Sequence, residues 1–435
     1  MNPALRIGYA AAAQLARAAA AVVPAGGSSK VSRALHARRG IRERFAAWGR
    51  TGRDPARPLL WVHAPSVGEG LQARPVLELF RRERPDVQLA YTHYSPSAEA
   101  FAASLDVDFA DYLPFDTGGD ADAALSALRP SALVFSKLDV WPTLAEHAAA
   151  RRVALGLVSA TLSGESSRRS GLAAALLRDA YRGLDAIGAI DEEDAARLAE
   201  LGARREAITV TGDTRYDQVW ARAESAPSRA AELLAPLRSS RPTLVAGSTW
   251  PADEGPLLDG WRAVRARVGD ARLVIAPHEP TPAHLAPIER WASDAGLSLA
   301  RLGDRARAAD ADVVLVDRVG VLGDLYALAD AAFVGGGFHA AGLHSVLEPA
   351  AFGAPVLFGP RFTGSRDARL LLAAAGGATA TASSDLAEVL ARWLGDPAAR
   401  RAAGDAAKAV VQHGLGAARR SYDLVAGLVD ATGKR

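Results

Sequence analysis

Short apolar runs recur along the chain from about residue 59, and segments with helical periodicity separate them. Apolar runs of about four to eight residues between turn signals are typical of buried strands in parallel sheets. The pattern predicts nine strands, four in the first half (59–64, 87–94, 132–136 and 153–160) and five in the second (243–249, 271–278, 313–317, 331–336 and 354–359).

This alternation predicts an α/β fold with two Rossmann-like domains whose parallel sheets face each other across a cleft. A chain of 435 residues with 49% hydrophobic content is long enough for two such cores. We expect an N-terminal domain at 51–220 and a C-terminal domain at 242–435. Between them, 221–241 is expected to be the linker, because it has no strand pattern and contains prolines. One arrangement packs the last helix back on the N-terminal domain.

Residues 1–50 form a separate basic and apolar arm. Nine Lys/Arg and one acid, Glu43, give this arm a formal charge of +8, which leaves −6 for the remainder within a total of +2. Its apolar runs at 7–13 and 18–23 are interrupted by basic residues, so a helix lying in an anionic membrane surface fits better than a spanning one. The alternatives are an alanine-rich solvent-covered helix and a signal peptide with its small-residue site near Ala25.

The segment 331–360 indicates a ligand site. It predicts a buried strand, a glycine turn at 335–337, a short helix carrying Glu348 and a second buried strand. Glycines let the backbone approach a charged ligand, N–H groups at a helix start attract anions, and a carboxylate can accept ribose hydroxyls. The pattern therefore predicts a nucleotide or nucleotide-sugar site. A dinucleotide fingerprint is disfavoured, because Ala340 replaces its third glycine and no acid closes the second strand.

Other chemistries find little support in the sequence. The chain has no cysteine, so disulfides and thiolate metal sites are unavailable and a cytosolic environment is the simpler expectation. The histidines at 278 and 284 do not form HExxH, and the prolines between them oppose the helix that a zinc site would need. The sequence contains neither a GxSxG elbow nor a GxxxxGK[ST] loop.

Polar residues follow several predicted strands of the first half. Glu69 follows the strand at 59–64, where a carboxylate at the cleft can remove a proton from an attacking hydroxyl. The alternative is an acid favoured by the dipole of a helix N-terminus. Lys137 and Asp139 follow the strand at 132–136, and Arg215 offers a clamp for phosphate or carboxylate.

At these residues the sequence resembles the 3-deoxy-D-manno-octulosonic acid (Kdo) transferases of lipid A biosynthesis, which are inverting glycosyltransferases with the two-domain GT-B fold. The resemblance runs from about residue 61 to 360 and rests on the order and spacing of several motifs. They are HAPSVGE at 63–69, KLDVWP at 137–142, TGDTRYD at 211–217, AGSTWPADE at 246–254, APH at 276–278, DRVGVLGDLY at 317–326 and FVGGGFHAAGLHSVLEP at 333–349.

The resemblance implies roles for individual residues. Glu69 matches the general base, Asp139 a second acid that supports the transition state, and Arg215 a basic residue of the catalytic site. Departures from the family pattern are Lys137-Leu138-Asp139 for Glu-Thr-Glu, Leu343-His344-Ser345 for Gly-His-Asn, and Pro277 for an arginine. Residues that match or adjoin the cytidine-monophosphate contacts are His278, Glu279, Gly320, Val321, Leu322, Ser345, Val346, Leu347 and Glu348.

The resemblance also implies the reaction and its place. Kdo would move from CMP-Kdo to a lipid A precursor without a metal or other cofactor, in lipopolysaccharide biosynthesis at the cytoplasmic face of the inner membrane. The expected partners are the two substrates and an anionic membrane surface, with no nucleic acid.

Two alternatives stay open. One is another GT-B enzyme, either a different nucleotide-sugar transferase or an epimerase; a free-nucleotide-sugar epimerase needs no lipid acceptor, so the +8 arm counts against it. The other is a non-catalytic relative, which is disfavoured because Glu69, Asp139 and Arg215 occur together.

Overall fold

The computed structural model describes residues 3–22, 29–164, 166, 168 and 170–433. The chain forms two compact units, one made of Met1–Gln218 with Leu415–Arg435 and the other of Val219–Gly414. Each unit contains a seven-stranded sheet, and the described strand pairs are parallel. The predicted α/β class with two parallel sheets is confirmed.

The strands of the first unit are β1 (Leu59–His63), β2 (Gln88–His93), β3 (Phe109–Tyr112), β4 (Ala132–Ser136), β5 (Ala154–Ala160), β6 (Ala186–Ala189) and β7 (Ile208–Val210). Those of the second are β8 (Thr243–Thr249), β9 (Arg272–Pro277), β10 (Leu299–Arg301), β11 (Val313–Leu315), β12 (Ala331–Val334), β13 (Val356–Phe358) and β14 (Gly377–Thr379). Their spatial orders are β3-β2-β1-β4-β5-β6-β7 and β10-β11-β9-β8-β12-β13-β14.

The helices up to the unit boundary are α1 (Pro3–Val22), α2 (Lys30–Ala37), α3 (Ile41–Thr51), α4 (Val67–Glu83), α5 (Glu99–Ala103), α6 (Gly118–Leu128), α7 (Pro142–Ala150), α8 (Gly171–Arg182), α9 (Glu192–Leu201) and α10 (Arg215–Arg229). They are followed by α11 (Ala231–Leu234), α12 (Pro251–Arg267), α13 (Pro282–Asp294), α14 (Arg305–Ala308), α15 (Leu322–Leu325), α16 (Leu347–Ala351), α17 (Arg366–Ala373), α18 (Ser383–Gly395), α19 (Pro397–His413) and α20 (Ala417–Gly433). Short 3₁₀ segments lie at Pro96–Ala98, Arg205–Ala207, Ala235–Leu237 and Tyr326–Leu328.

Apolar side chains cover both faces of each sheet. Along β1, Leu59 and Trp61 pack in the cluster that includes α3 and α6, whereas Leu60 and Val62 pack with α4 and α20. This alternation follows from the two-residue period of a strand. In the second unit, α12 and α18 cover one face of the sheet and α14 and α15 the other. The packing fixes the strand ends, where the predicted site residues lie.

The structure contains all nine predicted strands and adds β3, β6, β7, β10 and β14. The added strands have only three or four residues each. Four of them, β3, β7, β10 and β14, lie at sheet edges and include exposed positions, so they lack the buried apolar run by which longer strands are predicted.

The boundary between the units differs from the predicted linker. It falls at 218/219, inside α10, and much of 221–241 is helical. Helix α10 contains Pro227 near its C-terminal end. The predicted arm also ends earlier than residue 50, since Ile41 and Phe45 of α3 are buried in the first core. The final helix, α20, belongs to the first unit.

Helix α1 packs on the first unit and presents apolar residues on its outer side. The hydroxyl of Tyr9 donates to Asp116 at 2.6 Å, and Arg6 and Arg17 form ion pairs at 3.0 Å with Glu146 and Asp120. Among the helices that the structure describes, none has both the length and the apolar character to cross a membrane. Ala25, near which the signal-peptide alternative would be cleaved, lies outside the described residues. The most exposed large apolar residues of α1 are Ile7 (71%), Leu15 (71%) and Val22 (80%).

Candidate functional site

Each sheet has a point at which successive strands are added in opposite directions. In the first unit β1 lies between β2 and β4, and in the second β8 lies between β9 and β12. Open α/β sheets bind ligands outside the carboxyl ends of the strands at such a point. Glu69 follows β1 and Asp139 follows β4, while the glycine turn at 335–337 follows β12. The topology therefore places Glu69 and Asp139 at the crevice of the first unit and the glycine turn at that of the second.

Glu69 lies in the first turn of α4. Its carboxylate accepts a hydrogen bond from the Ser66 hydroxyl and lies 3.4 Å from the Lys137 ammonium. Burial raises the pKa of Glu69, but the Ser66 hydrogen bond and the charge of Lys137 together outweigh burial, so the pKa is lowered. The carboxylate is thus ionised at neutral pH, as a proton acceptor must be.

A close approach between α4 and β2 positions Glu69. A Cβ on Gly70 would lie 2.7 Å from the Tyr91 hydroxyl and 2.4 Å from Phe101, so only glycine fits there. The Ser136 hydroxyl at the end of β4 donates to the Glu69 carbonyl at 3.1 Å. These contacts fix the start of α4 between the ends of β1 and β4.

Asp139 lies on the loop between β4 and α7, where it forms a 3.1 Å ion pair with Arg168. Burial raises the pKa of Asp139, Arg168 lowers it and the nearby charge of Glu69 raises it, with a net upward shift. The two carboxylates are therefore close enough to influence each other, and their surroundings shift their pKa values in opposite directions. Such a divided pair is typical of sites that carry out proton chemistry.

His63, at the end of β1, holds the Asp139 loop. Its Nε2 accepts a hydrogen bond from Trp141 Nε1 at 3.1 Å, and its Nδ1 lies 3.1 Å from the Thr92 carbonyl. Burial lowers the pKa of His63 to about 3. The ring is therefore neutral, with a proton on Nδ1 to donate to the carbonyl and a lone pair on Nε2 for Trp141.

Arg215 begins α10 and is bound by its own neighbour. Its Nε and Nη2 donate to the Asp213 carboxylate at 2.8 and 2.6 Å. The Thr214 hydroxyl donates to the Gln72 carbonyl at 2.6 Å, which holds this segment against α4. Arg215 thus lies beside the helix that carries Glu69, with Asp213 as an anionic partner.

The glycine turn packs against the protein's own backbone. The N–H groups of Gly336 and Phe338 donate to the buried Asp253 carboxylate at 2.8 and 2.9 Å, so these amides are not available to a ligand. A Cβ on Gly336 would lie 2.1 Å from the Gly342 carbonyl oxygen, and one on Gly335 would lie 2.2 Å from that of Ser248. Packing alone therefore requires Gly335 and Gly336, and the prediction that the turn contacts a ligand stays a prediction.

Stacked rings cover the ends of β8, β9 and β12. The Trp250 ring centroid lies 4.3 Å from that of His339 and 4.5 Å from that of His278, and His278 lies 4.6 Å from His344. Trp250 Nε1 donates to His344 Nε2 at 3.1 Å. Burial and the neighbouring His278 lower the pKa of His344, which keeps that nitrogen free to accept.

Glu348 lies in α16 and is partly buried. Burial raises its pKa, while the charge of Arg222 lowers it, and the net shift is upward. Within the described residues, its carboxylate has neither a hydrogen bond nor an ion pair. Because partly buried carboxylates normally have partners, Glu348 is a candidate for ligand contact. Ser345, Val346 and Leu347 lead directly into this helix turn.

The remaining predicted contacts lie around the same sheet. Glu279 is exposed next to His278, at the end of β9. Gly320 and Val321 form the turn after β11, and Gly320 has the left-handed φ of +87° that favours glycine. Leu322 reaches β8, since a Cβ on Gly247 would lie 2.8 Å from its methyl carbons.

Sequence reasoning missed Arg168 and Asp253 because neither lies at a predicted strand end. It also missed the pairing of His284, whose Nε2 lies 2.9 Å from Glu254. Throughout the part of the chain that the structure describes, no three His, Asp or Glu side chains form a metal-binding group.

Comparisons with known proteins agree with this architecture. The sequence model of the family described as 3-deoxy-D-manno-octulosonic-acid transferase (kdotransferase) matches residues 39–218. A 3-deoxy-D-manno-octulosonic acid transferase of Bordetella pertussis is 32% identical over 87% of this chain and 90% of that protein. One of Haemophilus influenzae is 27% identical over 89% of this chain and 91% of that protein.

A solved UDP-GlcNAc 2-epimerase of Neisseria meningitidis, bound to UDP-GlcNAc, matches with a TM-score of 0.60 at 14% identity, over 82% of this chain and 98% of that chain. This likeness concerns the fold alone and agrees with the GT-B class of two Rossmann-like domains. The identity and coverage of the Bordetella relative carry the family assignment. The chain belongs to the 3-deoxy-D-manno-octulosonic acid transferase family and is a glycosyltransferase.

Proposed function

We propose that this glycosyltransferase moves Kdo from CMP-Kdo to a hydroxyl of a lipid A precursor in lipopolysaccharide biosynthesis, with inversion at the anomeric carbon. Beyond family membership, the observation that carries the proposal is the ionised Glu69 at the β1/β4 crevice. A direct displacement needs one such base.

Glu69 takes the proton of the acceptor hydroxyl while that oxygen forms a bond to the anomeric carbon of Kdo. The bond from that carbon to the phosphate oxygen breaks, and its electron pair leaves with CMP. Because attack and departure occur on opposite faces, the configuration inverts. The carbon gains oxocarbenium character in the transition state, so a second carboxylate such as Asp139 stabilises it electrostatically.

The crevice of the second unit is proposed to bind the donor. Stacked rings of Trp250 and His339 suit a planar nucleotide base, and the unpaired Glu348 carboxylate suits two ribose hydroxyls. The basic groups of the chain would take up the charge of the departing phosphate. No metal has a role in this proposal, so transfer should persist in excess EDTA.

The test is a transfer assay with purified protein, CMP-Kdo and a tetraacyl lipid A precursor. We expect CMP and a Kdo-bearing lipid in equal amounts, with the anomeric configuration opposite to that of the donor. Transfer from another nucleotide sugar in preference to CMP-Kdo would contradict the proposed donor. CMP release at an equal rate without acceptor would contradict transfer.

We also propose that α1 lies on an anionic membrane, at the cytoplasmic face of the inner membrane. Its support is the outward apolar stripe formed by Ile7, Leu15 and Val22, beside the basic segment from Lys30. Each basic residue near an anionic surface contributes about 1 kcal/mol. Replacing Ile7 and Leu15 by aspartate should reduce binding to anionic vesicles, and the remaining binding should fade as salt rises. Ala10→Asp plus Ala12→Asp is the control. If it reduces vesicle binding as much as the replacement of Ile7 and Leu15 does, the effect is not specific to the stripe.

A further inference from the structure

Lys137 lies beside the proposed base in an unusual backbone conformation. We infer that Lys137, together with Arg168, binds an anionic group of the acceptor, either a phosphate monoester or a sugar carboxylate. The inference rests on the proposed function, because it assumes that an acceptor hydroxyl approaches Glu69.

The backbone places the Lys137 side chain at the crevice. Lys137 has a φ of +66°, in the left-handed region that costs non-glycine residues about 1 to 2 kcal/mol. Its N–H donates to the Val158 carbonyl at 2.9 Å, which extends the β4–β5 pairing by one residue. The turn then brings the ammonium to 3.4 Å from the Glu69 carboxylate. A strained position retained at a crevice is a reason to look for a functional contact.

The Lys137 ammonium has donors to spare. Its side chain is 42% exposed, and within the described residues Glu69 is the only group at ion-pair distance. Glu69 already accepts a hydrogen bond from Ser66, and the 3.4 Å separation is long. Ion pairs between such accessible groups are weak, whereas a phosphate offers several strong acceptor oxygens. An acceptor anion can therefore replace Glu69 as the ion-pair partner of Lys137.

Arg168 supplies a second cation close by, on the segment that follows β5. Its ion pair with Asp139 leaves the arginine side chain 39% exposed. Glu69 and Asp139 carry two negative charges that would repel an anionic acceptor, and the two cations cancel them. The crevice can thus admit an anionic acceptor to a carboxylate base.

The arrangement also couples binding to basicity. The charged and titratable groups facing Glu69 are Lys137 and Asp139 from the β4–α7 loop and Tyr91 from β2, with Arg168 acting through Asp139. Lys137 weakens the base, because a nearby cation favours the ionised carboxylate. An acceptor anion that binds the Lys137 ammonium draws its charge away from Glu69. The basicity of Glu69 therefore rises when the acceptor hydroxyl is in place.

The test compares Lys137→Met and Lys137→Arg with the wild type, with Arg74→Met as a control that removes an exposed cation from the same helix as Glu69. Each is assayed with a phosphorylated disaccharide acceptor and with its dephosphorylated form. We expect Lys137→Met to raise KM for the phosphorylated form about tenfold or more, the scale of a charged hydrogen bond, and to leave KM for the other unchanged. Lys137→Arg should restore the preference. The acid limb of kcat/KM should move to higher pH in Lys137→Met.

A third acceptor, which already carries one Kdo carboxylate and lacks phosphate, separates the two sources of the anion. If Lys137→Met weakens the use of only one of the two anionic acceptors, the result supports the site and identifies its ligand. If Lys137→Met shifts the acid limb but leaves the acceptor selectivity unchanged, the inference is overturned. Equilibrium binding of the same acceptors in neutral detergent micelles measures the contribution of Lys137 to acceptor affinity without turnover. Absence of transfer by the wild type then counts against the proposed function, while the binding ratio still decides the site.

Discussion

The two crevices share a topology and differ in chemistry. In the first unit the strand ends carry charged groups whose side chains are partly exposed, whereas in the second they carry stacked rings and a glycine turn. The first set can change partners when a substrate arrives, and the second is fixed by packing. Strand order thus decides where a site lies, and the loops decide what it can do. The charged set is Glu69, Lys137, Asp139 and Arg168, and the ring set is Trp250, His278, His339 and His344.

Carboxylates show the contrast most clearly. Glu69 is 19% exposed and bound by a hydroxyl and an ammonium, both of which can move. Asp253 is fully buried and accepts from the N–H groups of Trp250, Gly336 and Phe338. The first carboxylate can exchange a proton with a substrate, whereas the second holds its loop.

The largest expected effect tests the charged crevice. Glu69→Gln should leave CMP binding intact and reduce transfer by about 10²-fold or more, the scale of general-base loss. The measurement is kcat/KM for transfer together with calorimetric titration of CMP. Glu78→Gln, an exposed change on the same helix, serves as the control. Near-normal turnover by Glu69→Gln would remove Glu69 from the mechanism.

The matching test of the ring crevice is Glu348→Ala. It should weaken CMP affinity by about 1.5 to 3 kcal/mol, the range for a hydrogen bond to a charged group. Calorimetric titration measures the change, and Glu388→Ala on α18 is the exposed control. If both variants bind CMP as the wild type does, Glu348 is only a helix acid.

Asp253→Asn should lower the stability of the fold. The amide nitrogen of asparagine cannot accept the N–H groups now bound, so one or more buried donors lose a partner at about 1 to 3 kcal/mol. Thermal unfolding should show a lower midpoint than in Asp259→Asn, an exposed change on the same helix. An unchanged midpoint would mean that the glycine turn does not depend on Asp253.

The longer strands could be predicted from the sequence, whereas the short strands and the side-chain contacts could not. Strands such as β1 and β4 have continuous apolar runs, so the positions of Glu69 and Asp139 at strand ends were predictable. Arg168 was not, because its partner is 29 residues away and no periodicity relates them. The glycine turn indicated a ligand, yet Asp253, 83 residues from Gly336, binds its amide. Long-range side-chain pairing leaves no local pattern.

A buried ring of the first unit should make the stability of the fold depend on pH. His63 has a pKa of about 3 in the folded chain, while its ordinary value is 6.5. The unfolded chain therefore binds a proton below pH 6.5 that the folded chain does not, and stability falls as pH decreases from 6.5 toward 3. The slope from this residue is about 1.4 kcal/mol per pH unit. The slope is about half this value at pH 6.5 and vanishes about one pH unit higher.

Urea unfolding at pH 7.0, 6.0 and 5.0 measures this slope. His63→Gln should be less stable at pH 7, because the contacts of the His63 ring with Trp141 and Thr92 change. Its stability should fall less steeply below pH 6.5, because the variant lacks the titrating group. His413→Gln, on an exposed helix end, should keep the slope of the wild type. If His63→Gln has the same slope as the wild type, the acid sensitivity comes from other groups, such as His344 in the ring crevice. The second unit would then be the acid-sensitive one.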